Sequence, residues 1–490
     1  MEPHLLTALL TTLLLAFPGT AAVRGTAPAP VRARVAAPPA VLAVGQIAAQ
    51  NIAPRPGSEP DTLVEPDVAV SPRNRDIALT VAHDGRYPDG GAVAIAYAWT
   101  RDGGQRWHDA TIPGLTTATG GRYLRASDPV ATFGPDGTAY VSTLLFDIPG
   151  CASAVAVSLS TDGGRTFRPP VLVHSSEVCE DNDDKNWLVV DTSRASPRFG
   201  RLYQFWTEYR LDAQGNTLAA PQVLRWSDDH GATWSDTVTV SDPQADTQNS
   251  QPAIHPDGTI TDTYLVYPPG TRPEFAPERV PPGARHRFAA RAVGQPGDHM
   301  VARTSTDGGQ TWSAEVTVTD DVGSGPAGIR CCLPSGTADP RTGVLYVTWT
   351  SVQLDLVRLS TSTDGQTWSP PVTVDRGVRP GVDIVNVDVA AYGGRVFVSY
   401  GTRDTAVAGG RYVQQRIAWS RDGARFGPAL AVGPRSDLRY AAVAGGSFPG
   451  DYIGTAATRG RVYAVWCRSS RPPTAGATHH QTLYGATLRP

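Results

Sequence analysis

The sequence predicts an all-β chain of repeated four-stranded sheets, and three observations predict it. An eight-residue pattern, Ser305-Thr306-Asp307-Gly308-Gly309-Gln310-Thr311-Trp312, recurs in the same register at Thr100–Trp107, Ser160–Phe167 and Ser227–Trp234. It returns one residue shorter at Ser362–Trp368 and Ser420–Phe426. The aspartates of the six copies, Asp102, Asp162, Asp229, Asp307, Asp364 and Asp422, are spaced on average about 64 residues apart, which suits one four-stranded blade per copy. Finally, 50 glycines and 42 prolines in 490 residues punctuate short apolar runs, a pattern of many strands and tight turns.

Each copy reads as a hairpin clasp. Alternating residues precede it (Met300 to Thr304) and a β run follows (Val316 to Val318), so it joins two strands. The aspartate can accept backbone N–H bonds across the turn, and Gly308 or Gly309 supplies positive φ. The closing aromatics Trp107, Phe167, Trp234, Trp312, Trp368 and Phe426 offer apolar bodies to bury between sheets. A structural staple is therefore expected of these carboxylates rather than catalysis. These residues resemble the Asp-box (BNR) repeats of sialidases and related β-propellers, and the resemblance spans most of the chain.

A second signature precedes each clasp: Glu65–Val70, Asp128–Ala131, Asn186–Asp191, Gln251–Ile254, Leu333–Gly336 and Asn386–Val389. A seventh copy, Gly450–Gly454, follows the last clasp with two more strands, Val462–Trp466 and Thr482–Ala486. One outer strand is then missing, and Val41–Val44 can supply it. The expectation is a seven-bladed propeller closed by N- and C-terminal strands, with six blades as the alternative.

Composition narrows the class. A formal net charge of −3 argues against nucleic acid and an anionic membrane as partners. The apolar run Leu5–Phe17, ending in small residues to Ala22, reads as a signal peptide over residues 1–22, too short to span a bilayer. An Ala/Pro-rich linker follows over 23–40, then one propeller domain over 41–490, expected to be secreted and monomeric. Five cysteines fit export. Cys151–Cys179 is the expected disulfide. One of Cys331 and Cys332 pairs with Cys467, or the adjacent two pair with each other; one thiol stays spare.

With strands running outward from the axis, the clasps lie on one face, and the loops entering the first strands open on the other. There the sequence places Glu65, Asp67, Asp128, Asp183, Asp184, Lys185, Trp187, Arg330, Asp388, Asp451 and Tyr452. The second strands end in His83-Asp84-Gly85-Arg86, Glu208-Tyr209-Arg210 and Arg403-Asp404. Acids, arginines and aromatics at one mouth suit a carbohydrate site. Lys185 is the only lysine in the chain, set in the acidic run Glu180–Asp184. That run reads either as a Ca²⁺ site on Asp181, Asp183 and Asp184 or as an ion-paired post around Lys185; no other cofactor is required. Pro268 to His299 is a long insert, read as a lid or a loop without fixed structure.

The sialidase resemblance implies an exo-acting glycoside hydrolase with a Tyr nucleophile paired to Glu, an Asp acid/base and an arginine clamp. In this sequence the set is Tyr452 with Glu208, Asp84 as acid, Arg125, Arg330 and Arg439 as clamp, and Trp187 as sugar platform. The Arg-Ile-Pro motif of that family is absent. A non-catalytic propeller binding extracellular carbohydrate or protein is the alternative, with a polysaccharide lyase third.

Overall fold

The computed structural model describes residues 38–268, 298–323, 325–375 and 377–490. The expected signal peptide, most of the linker and all but the ends of the Pro268–His299 insert lie outside them. No helix among the described residues is long and apolar enough to cross a membrane; their regular elements are all strands, apart from two short 3-10 turns.

The strands pair as antiparallel four-stranded meanders, each with its first strand at one edge of the four. The first strands are Leu63–Val70, Arg125–Phe133, Asp181–Val190, Asp246–Ile254, Ser335–Ala338, Val382–Tyr392 and Gly454–Thr458. The first two meanders are recorded as one sheet because a single pair, Ala92 with Ala126, links them. The last meander takes its outer strand from the other end of the chain: Ala40–Ala48 pairs with Gln481–Arg489, as the missing-strand argument expects. The first strands are mostly buried, the fifth and seventh only partly, and pack each against the next in chain order, the seventh also against the first.

Every clasp forms at the turn from third to fourth strand. In the fourth meander, Asp307 Oδ1 accepts from the backbone N–H of Gln310 and Thr311, both at 3.0 Å, while Ser305 Oγ donates to it at 2.9 Å. Asp102, Asp162, Asp229, Asp364 and Asp422 accept the equivalent backbone bonds. These bonds favour the carboxylate, so each of the six titrates below its ordinary range even though burial of Asp307 and most others opposes it. The staple reading is what the structure shows.

Each closing aromatic packs on the meander before its own. Trp312 meets Phe205 of the third meander edge-on at 6.0 Å, and Phe167 meets Tyr97 of the first at 4.9 Å. Trp107 of the first clasp meets Tyr463 of the seventh meander at 6.3 Å. The second glycine of the clasp permits this approach: a Cβ on Gly309, at φ 92°, would stand 2.5 Å from Leu224 Cδ2. Trp312→Ala is expected to lower stability by roughly 2–4 kcal/mol, because the indole is half-buried between meanders. Urea unfolding reads the value, and a loss under ~1 kcal/mol would contradict the staple.

Candidate functional site

Near the start of each first strand, one residue takes a left-handed conformation. These are Glu65, Asp128, Lys185, Asn249, Cys332, Asn386 and Gly450, with φ between 47° and 111°. In five meanders the residue sits at a shift in the strand register, a bulge that re-aims the side chain. Five of these seven segments deliver charge to one place.

The Lys185 ammonium stands 3.2 Å from Asp128 Oδ2, 3.2 Å from Asp451 Oδ2 and 3.5 Å from Glu65 Oε1. One cation thus bridges carboxylates from the first, second and seventh meanders, all of them buried. Arg330 adds a forked contact to Asp451, 3.3 Å to Oδ1 and 3.1 Å to Oδ2. Phe448 lies under two guanidiniums, with Arg86 at 4.5 Å and Arg330 at 5.0 Å from its centroid.

Proton placement in this cluster follows from geometry. Burial lowers His83 to a pKa of about 3, so its ring is neutral. Its Nε2 accepts the Asp128 backbone N–H at 2.8 Å, which puts the ring proton on Nδ1. Glu65 Oε2 lies 3.1 Å from that same Nε2, a contact that a protonated Glu65 can make as a donor and a carboxylate cannot make to an unprotonated Nε2. Burial raises Glu65 well above the ordinary carboxylate range, in agreement. Burial also opposes charge on Asp451 and Asp128, but Arg330 and Lys185 outweigh it for the first, and Lys185 with the Ser127 hydroxyl bond for the second. Burial likewise opposes the Lys185 charge, and the carboxylates beside it, Asp128 foremost, hold it charged. The result is one neutral acid beside two carboxylates.

Glu65, His83 and Asp128 are the one His/Cys/Asp/Glu trio among the described residues close enough to share a metal ion. The donor set does not fit one. A backbone N–H already occupies His83 Nε2, and Lys185 already neutralises the carboxylates. Of the expected Ca²⁺ ligands, Asp183 binds Ser153 and His174, Asp184 accepts from Gln248, and Asp181 is exposed. Successive residues of a strand face opposite sides, which separates 183 from 184.

The sequence-expected pair Tyr452 and Glu208 is not brought together. The Tyr452 hydroxyl donates to Pro129 O at 3.5 Å, and burial raises its pKa well above that of a free phenol. Glu208 instead accepts from Arg210 at 2.8 Å. Asp84 turns away and accepts the N–H groups of Asn51 and Ile52, with burial pushing it up to about 7. Its strand neighbour His83 is the residue that faces the cluster. Arg125 is held by Asp89 and stacks on Tyr87, while Arg439 is exposed on Asp437. Of the expected clamp, only Arg330 joins. Trp187 is half-buried and meets Tyr452 edge-on at 6.0 Å.

Two disulfides form, Cys151–Cys179 as expected and Cys331–Cys332 between neighbours; Cys467 is free and buried, so the alternative pairing to Cys467 does not occur. Beyond Trp187 an axial cavity of about 740 Å³ is lined by Asp67, Ser335, Asp388 and Thr455 among others. Burial raises Asp67 to about 6 and Asp388 to about 8, the second also by the nearby Asp67.

Among family models, that of the BNR/Asp-box repeat matches residues 303–314. The repeats are Asp boxes. No curated protein matches the chain. Among solved structures, the chain is similar to the Hadza microbial sialidase Hz136, at 15% identity over 83% of this chain and 76% of that one, TM-score 0.47. It is also similar to the α-L-arabinofuranosidase Arb93A of Fusarium graminearum, at 13% identity over 92% and 98%, TM-score 0.46. A polysaccharide lyase described as an ulvan lyase gives 10% identity over 90% and 94%, TM-score 0.47.

Lys185→Met leaves the buried carboxylates of Asp128 and Asp451, beside the neutral Glu65, with one counter-ion fewer, and is expected to cost roughly 3–5 kcal/mol. The loss grows from pH 5 to pH 8, because the acids must then shed protons in the folded state. Urea unfolding at both values checks it. Asp388 generates a second expectation. Its folded pKa of about 8 exceeds an unfolded value of about 4, so its stabilisation is full below the lower figure and lost as pH rises through the upper one. Asp388→Asn should flatten the fall in melting temperature between pH 5 and pH 8; an unchanged slope would place that titration elsewhere.

Proposed function

We propose that this protein is a secreted Asp-box propeller that hydrolyses glycosidic bonds in carboxylated extracellular glycans, in the manner of an exo-sialidase. In this reading the seven meanders are the blades of one closed ring, completed by the N-terminal strand. The observation that carries the functional reading is the axial cluster, a neutral Glu65 beside ionised Asp128 and Asp451. Carboxyl groups whose surroundings push their pKa values apart are the working parts of glycosidic cleavage. Glu65 supplies the proton to the leaving oxygen. Asp451 and Asp128 stabilise positive charge on the sugar ring. Lys185, Arg330 and Arg86 bring three cations to the same end of the axis, which favours a substrate bearing a carboxylate. The two disulfides support export to an oxidising compartment, and a monomer is proposed with it.

One observation favours a second reading. Glu65 is 2% and Asp451 4% exposed, which suits a clamp at the axis of a non-catalytic, glycan-binding propeller. A panel of fluorogenic sialosides, arabinofuranosides and uronides, with an unsaturated-product assay for lyase chemistry, separates the two. Hydrolysis of a carboxylated glycoside that falls at least ~10²-fold in Glu65→Gln and Asp451→Asn is expected. Binding on a glycan array with no turnover of any substrate would establish the second reading instead.

A further inference from the structure

We propose that the Cys331–Cys332 disulfide is a positioning device, a covalent substitute for missing strand pairing that keeps Arg330 on Asp451. The fifth meander differs from its neighbours at the axis. In five meanders the left-handed residue lies inside a strand ladder, paired on both sides of its bulge. In the fifth, the ladder begins only at Ser335, opposite Thr348, so Arg330, Cys331 and Cys332 precede any pairing within their own sheet. Cys332 nevertheless holds φ at 91°, a conformation a β-carbon disfavours. The bridge to the preceding residue restricts both backbones at once.

The contacts around it show what that restriction places. The Cys332 N–H donates to Asn386 Oδ1 at 3.0 Å and to Asp451 O at 3.2 Å, and the Leu333 N–H donates to Asp451 O at 3.1 Å. The Asn386 N–H donates to Cys332 Sγ at 3.2 Å. Cys331 sits in an apolar cluster with Ile329, Val385 and Val413. One residue upstream, the Arg330 N–H donates to Ser447 O at 3.1 Å and its guanidinium grips the Asp451 carboxylate. The bridged segment thus hydrogen-bonds to the sixth and seventh meanders at the point where Arg330 must reach across.

Asp451 is the reporter. The titratable and charged groups around it are Lys185 and Arg330 on one side of the balance and Glu65 and Asp128 on the other, with neutral His83 beyond. Its depressed pKa contributes stability that is present above the unfolded value and lost as pH falls through the folded one. If Arg330 swings free, that loss occurs at a higher pH. The readout is unfolding rather than turnover, so this inference stands or falls apart from the carbohydrate reading.

The experiment is a double-mutant cycle on the full chain, read as the midpoint pH of acid unfolding. Cys331→Ser/Cys332→Gly keeps the backbone conformation without the bridge; Cys331→Ser/Cys332→Asn does so with the residue type that Asn249 and Asn386 use at the same position. Either variant is expected to raise the midpoint by about 0.5–1 pH unit in the wild-type background and by almost nothing in Arg330→Gln. The same comparison on phosphine-reduced protein carrying Cys151→Ser/Cys179→Ser opens the bridge without substituting either of its cysteines. Equal shifts with and without Arg330 would make the disulfide a plain structural tie, and no shift in either background would remove its role.

Discussion

The Lys185 ammonium is the interaction on which the centre of this structure depends. Three buried carboxyl groups from three other meanders converge on it, two of them charged. Without the cation, those charges would repel one another in a poorly solvated space. With it, the first, second, third and seventh meanders share one electrostatic knot, and residues hundreds of positions apart in the chain are held within hydrogen-bond reach. The knot also sets the proton inventory, since it keeps Asp128 and Asp451 charged while Glu65 takes the proton that His83 Nε2 faces.

Two kinds of carboxylate are therefore present, with opposite physics. The Asp-box acids lie at the periphery, mostly exposed, and their backbone N–H donors favour the charged form. They fasten hairpins, and their aromatic partners seat each meander on the one before. The axial acids are buried, and burial penalises their charge unless a cation stands beside them. Peripheral repetition builds a rigid frame, and the frame holds the central groups at fixed distances. Chemistry at the axis needs that preorganisation more than it needs any single strand.

The frame was legible because its signals are local. An Asp box announces its turn within eight residues, and the alternation around it fixes a hairpin; even the pairing of Ala40–Ala48 with the last strand follows from counting strands. The centre was less legible because its partners are remote in sequence. Glu65, Asp128, Lys185 and Asp451 all stood among the candidates at the strand entries, yet spacing alone did not show that they meet. Choosing Asp84 over His83 was an error of parity: one step along a strand turns a side chain to the other face. The resemblance pairs Tyr452 with Glu208, but the bulge at Lys185 and the left-handed residue Gly450 send their neighbours elsewhere. The usable signal was compositional, a single lysine in 490 residues set among acids.

The central claim is that Glu65 is a neutral carboxylic acid at neutral pH, poised beside charged neighbours. Infrared difference spectroscopy of wild type against Glu65→Gln at pH 7 tests it most directly, because the other buried acids, Asp67, Asp84, Asp262 and Asp388, cancel in the difference. A carboxylic-acid carbonyl band present in wild type and missing from the variant is the predicted result. A carboxylate band in its place would mean that Glu65 is ionised, and the acid assigned to this site would then be wrong.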